Sequence, residues 1–96
     1  MIDHFVSEVK SFILRIGGSY ADWYVGISKN AARRLFGEHR VEHNDPTWIY
    51  FDAENAKTAR ALEMHFLVLG CDGGSGGGDD ESRFLYVYRK TRATKQ

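Results

Sequence analysis

One apolar spacing constrains this chain before anything else. Ile2, Phe5, Val6, Val9, Phe12, Ile13 and Ile16 recur at i, i+3, i+4 and i+7 steps without a break, and Gly17-Gly18 follows. That period lines one side of an α-helix, and glycine closes it. The period then changes. Trp23 to Ile27 is short, aromatic and β-branched, and alternation puts Trp23, Val25 and Ile27 on one face with Tyr24 and Gly26 on the other, as in a strand. Ser28 or Asn30 can cap a helix over roughly 30 to 38, with Ala31, Ala32, Leu35 and Phe36 as its apolar stripe. Residues 39 to 46 read as a polar connection, 47 to 52 as a second strand entered through Pro46, and 55 to 69 as the longest helix, with Gly70 closing it. Phe84 to Tyr88 alternates as a third strand.

The order is therefore αβαβαβ, which predicts an α+β fold: one small domain over residues 1 to 96, with a three-stranded, mainly antiparallel sheet flanked by three helices. Pattern alone leaves each strand's direction open. At 96 residues a single core is the norm, and 43% hydrophobic with 27% charged content is ordinary for a globular chain. CDGGSGGGDDES, 71 to 82, is low in complexity and predicts a flexible loop, while residues 91 to 96 form a basic tail.

Thirteen basic and thirteen acidic residues cancel, so no global positive field draws the chain to nucleic acid, and such binding must rest on a local patch. Cys71 is alone, which excludes an intrachain disulfide and a cysteine-based zinc site and points to a reducing, cytoplasmic setting. The opening MIDHFVSEVK carries acids among spaced apolar residues, unlike a signal peptide or a membrane span.

On the wheel of the second helix, Arg33 and Arg34 border the apolar stripe on opposite sides, and periodicity does not choose between them. Arg34 has Glu38 four residues on, the spacing of a surface pair worth ~0.3–0.5 kcal/mol. His39 projects toward the middle of the stripe. Glu63 lies four residues after Ala59 and three before Phe66, on the border of the long helix's buried side, where a carboxylate must reach solvent or take an arginine, a histidine or a metal ion as partner. The glycine-rich loop has no GK[ST] after it and carries Asp79, Asp80 and Glu81, which argues against phosphate binding. Asp72, Asp79 and Asp80 lack the regular oxygen spacing of a calcium loop. No Ser-His-Asp elbow, paired-cysteine motif or dinucleotide fingerprint is present.

Tyr24-Val25-Gly26-Ile27, followed after seven residues by Arg34-Leu35 and later by a helix carrying Glu63, resembles the GIY-YIG nuclease superfamily over roughly residues 22 to 70. The resemblance implies a metal-dependent endonuclease that hydrolyses DNA phosphodiester bonds. Tyr24 and Gly26 match the second half of the family's name, Arg34 matches the catalytic arginine, and Glu63 matches the ligand of one Mg²⁺ or Mn²⁺ ion. His39 resembles an extra histidine of some restriction-enzyme branches. Tyrosine, an arginine fork and a carboxylate-bound cation can activate a nucleophile, neutralise phosphate charge and stabilise the leaving oxygen.

The first half of the name is missing. Its strand should fall near Phe12-Ile13-Leu14, where the pattern is helical and has no tyrosine, and Gly18-Ser19-Tyr20 lies too close to Tyr24 to form an equal hairpin partner. The C-terminal strand FLYVY could instead hold that sheet position, as in a permuted domain, with Tyr86 or Tyr88 replacing the lost tyrosine; aromatic core packing is the competing explanation. The alternative function is a catalytically inactive module of this fold that binds nucleic acid, a protein partner or a second copy of itself.

Overall fold

The computed structural model describes residues 2–73 and 81–96. Helix α1, Ile2–Ile16, has the bounds its spacing predicts and buries Val9, Phe12 and Ile13. The Trp23 indole donates to the Gly17 carbonyl at 3.2 Å, fixing the chain as it leaves the helix. A 3₁₀ turn, Tyr20–Asp22, leads into β1, Trp23–Ser28. Strand β2 is Trp48–Asp52, α2 is Ala56–Leu69 and β3 is Phe84–Arg89. Asn55 caps α2 by accepting from the Thr58 amide at 2.8 Å, and Gly70 ends it at φ 118°. Asn55→Ala removes that acceptor, and we expect it to lower stability by about 1 kcal/mol in a denaturant melt.

The fold class is α+β: among the described residues three helices, besides the short 3₁₀ turn, flank an antiparallel sheet of order β1-β3-β2. The last strand in sequence is the central one in space. Trp23, Val25 and Ile27 with Leu85 and Val87 form an aliphatic face that packs on Phe12 and Ile13 of α1 and Leu62 and Phe66 of α2. The opposite face is aromatic: Tyr24, Tyr86 and Tyr88 lie against Ala31 and Leu35.

The helix expected over 30 to 38 is largely a π-helix, Arg33–Glu38. Ala31, Leu35 and His39, four residues apart, are all buried. Arg40, at φ 57°, stops the winding.

The segment expected as one loop begins instead as a sheet edge. Val25 N donates to the Asp72 carbonyl at 2.9 Å and Asp72 N to the Trp23 carbonyl at 2.8 Å, a parallel bridge alongside β1. Residues 74–80 of the predicted flexible loop lie outside the described residues, and Ser82 at its end is buried. Among the described residues no helix is long and apolar enough to cross a membrane.

Candidate active site

Alternation in β3 sends Tyr86 and Tyr88 to the aromatic face, and the register sets Tyr88 opposite Tyr24 and Tyr86 opposite Gly26. The missing side chain at Gly26 makes room for a ring: a Cβ there would overlap the Tyr86 hydroxyl and the carbon that bears it. Tyr86 therefore lies across β1 and reaches His39.

His39, 5% exposed, stands between two tyrosines. Its Nδ1 is 2.7 Å from the Lys95 carbonyl oxygen and 3.1 Å from the Tyr88 hydroxyl, and its Nε2 is 2.9 Å from the Tyr86 hydroxyl. A carbonyl only accepts, so we assign the proton to Nδ1, which leaves Nε2 to accept from Tyr86. Burial first, then the charge of Arg34, holds the imidazole below its ordinary pKa, while the Lys95 carbonyl and Glu38 oppose them. Burial, with Tyr24 adding to it, pushes both Tyr86 and Tyr88 above the ordinary phenol value. All three partners are neutral near pH 7.

Tyr24, 8% exposed, has its ring centroid 5.2 Å from that of Tyr88 and 4.7 Å from that of His39. It borders a groove of about 540 Å³ together with Arg34, Glu38, His39, Arg40 and Lys95. The two arginines share a neighbouring groove with Lys29 and Asn30, and of the two it is Arg34 that also lines this one. Arg34 Nη1 lies 3.2 Å from Glu38 Oε1, the pair its spacing predicts. Tyr24, Arg34 and His39 thus share one groove.

Glu63 is 6% exposed on α2 and is not among that groove's lining residues. Burial raises its pKa, opposed by the charge of Arg60. Its charge and that of Arg34 both bear on the Tyr86 hydroxyl, Glu63 raising and Arg34 lowering its pKa. Among the described residues no three His, Cys, Asp or Glu side chains are grouped to hold an ion. A lone carboxylate suits Mg²⁺ or Mn²⁺ only if the ion keeps waters and takes phosphate oxygens as further ligands.

With its folded pKa raised, Glu63 contributes stability that is complete below the ordinary value of 4.5 and lost as pH rises through the folded value. Glu63→Gln should therefore raise the melting temperature at pH 7 in the presence of a chelator and flatten its pH dependence. Equal melting temperatures for the two proteins at pH 7 would refute this.

The basic tail, with no apolar spacing to tie it down, turns back onto the site. Lys95 N donates to the His39 carbonyl at 2.7 Å, and Gln96 Nε2 donates to Asp72 Oδ2 at 3.2 Å. A backbone carbonyl leaves no mark in sequence, which is why its contact with His39 is not readable there. Asp72 is also paired with Lys90 Nζ at 3.3 Å; Asp79 and Asp80 lie outside the described residues. Burial pushes the Cys71 thiol up to about 11, which makes it a poor nucleophile.

Compared with protein-family models, curated proteins and solved structures, the chain matches none.

Proposed function

We propose that this domain is a metal-dependent endonuclease of GIY-YIG type, in permuted form, that hydrolyses DNA phosphodiester bonds in the cytoplasm. The observation that carries this reading is the Tyr86 hydroxyl, 2.9 Å from Nε2 of His39, which lines one groove with Tyr24 and Arg34. The antiparallel pairing of β3 with β1, Tyr88 facing Tyr24, supports the C-terminal strand as the stand-in for the missing one.

In this reading Arg34 clamps the scissile phosphate with its guanidinium fork. Tyr24, at the groove wall, orients the attacking water. The Tyr86–His39 pair is the proton acceptor of this reading: Nε2 can take the hydroxyl proton once the phenol oxygen accepts one, which requires the buried Tyr86 hydroxyl to open toward the groove. The Lys95 carbonyl then holds the Nδ1–H of the resulting imidazolium, and Glu38 offsets its charge. By the family resemblance Glu63 would hold Mg²⁺ or Mn²⁺, which would supply Lewis-acid stabilisation of phosphate charge; Glu63 is buried on α2 and does not line the groove, so no step is routed through the ion. The test is nicking of duplex, single-stranded or branched DNA in Mg²⁺ or Mn²⁺; inactivity on all three defeats the reading.

The second reading, a non-catalytic module, is favoured by two observations. Both imidazole nitrogens already have protein partners, and the net charge is zero. It predicts salt-dependent DNA binding without cleavage. Absence of any binding points to a protein partner or a second copy of the chain.

A further inference from the structure

Residues 90 to 96 carry no apolar pattern, yet they are tied at both ends. Lys90 N donates to the Asp22 carbonyl at 2.8 Å, where the segment leaves β3. A turn closed by Thr91 N donating to Thr94 Oγ1 at 2.9 Å reverses the chain. Lys95 then meets His39 twice through its backbone, its N–H on the His39 carbonyl and its own carbonyl on Nδ1, both at 2.7 Å. The Lys95 side chain takes no part in these contacts.

Tyr86 and Tyr88 offer the imidazole a nearly symmetric choice, one hydroxyl 2.9 Å from Nε2 and the other 3.1 Å from Nδ1. Either hydroxyl could donate to the nitrogen that lacks a proton, and the ring could donate from the other. The Lys95 carbonyl breaks the symmetry, because it can only accept and so requires a proton on Nδ1. Tyr88 is then excluded as a donor to the ring and turns its proton toward the same carbonyl, at 3.4 Å. We infer that the returning C-terminal segment is a positioning element: through the Lys95 carbonyl it sets the His39 tautomer and so makes Tyr86, not Tyr88, the hydroxyl that donates into the imidazole. Tyr24, Arg34 and Glu38 are the other titratable groups around this ring. The functional meaning rests on the nuclease reading, since only an unprotonated Nε2 can take a proton through Tyr86.

Long-range ¹⁵N–¹H correlation spectra of the full, labelled chain near pH 7.5 read the tautomer directly. The chain has four histidines, and His39→Gln identifies the relevant signal. The expected spectrum has a protonated Nδ1 and a pyridine-type Nε2. Truncation after Thr94 should shift the ring toward the Nε2–H form, whereas Lys95→Ala, which keeps the carbonyl, should leave it unchanged. A protonated Nε2 in the full chain, or an unchanged tautomer after truncation, overturns the inference. Should the truncated chain lose its amide dispersion, Tyr88→Phe decides: a retained Nδ1–H form upholds the role of the carbonyl, and an inverted one refutes it. The spectrum needs no substrate, so the two readings fail separately. A chain that holds this tautomer yet never nicks DNA defeats only the nuclease reading; one that nicks DNA with Nε2 protonated defeats only this one.

Discussion

Gly26→Ala is expected to destabilise the domain by about 1–3 kcal/mol, the usual cost of forcing a methyl group into a filled space. Intrinsic preference points the other way, because alanine in a strand interior is better than glycine by ~0.5–1 kcal/mol. The contact decides the sign. The new Cβ would overlap the Tyr86 ring at its hydroxyl end, and Tyr86 is 2% exposed with its hydroxyl held on His39, so it has little room to withdraw. The same substitution made in a Tyr86→Ala background should be neutral or mildly stabilising. A double-mutant cycle by urea unfolding checks this. An undiminished penalty in that background would show that the backbone, not the ring, requires glycine. The spectrum of His39 should also change in Gly26→Ala, since its Nε2 partner is displaced.

Arg34→Ala should lower single-turnover cleavage roughly 10²–10³-fold, the scale seen when one donor to developing oxyanion charge is lost. Its effect on stability should stay under ~0.5 kcal/mol, because the side chain is part-exposed and its ion pair with Glu38 is a surface pair. Arg34→Lys should recover only part of the rate, since an ammonium lacks the planar fork. Arg33→Ala, on the neighbouring grooves, should leave the rate within a few-fold of wild type. Equal losses for the two arginines would mean that both act through bulk charge.

Much of this architecture is legible in the residues, and the illegible parts have physical causes. The bounds of α1 and the Asn55 and Gly70 ends of α2 follow from spacing and caps. Strand order does not follow from pairing pattern, yet one cue was available. FLYVYR buries both of its alternating sets, Leu85 and Val87 on one side and Tyr86 and Tyr88 on the other, as a central strand must. The π winding is not visible in the sequence, because the same residues satisfy an α-helical stripe; it shows in backbone bonds such as His39 N to the Arg34 carbonyl at 2.8 Å. The border positions of Arg34 and Glu63 were readable from the wheel, but their separation was not, since it depends on how α2 and the π-helix lie on opposite faces of the sheet. The Lys95 contact had no sequence signal at all.

Nicking of supercoiled plasmid in Mn²⁺ tests the central claim most directly, run side by side for wild type, Arg34→Ala and Glu63→Gln. The account predicts nicked circles from wild type alone, and none once the ion is chelated. Wild type that leaves plasmid, single-stranded and branched DNA intact, or Glu63→Gln that nicks as fast as wild type, would contradict it.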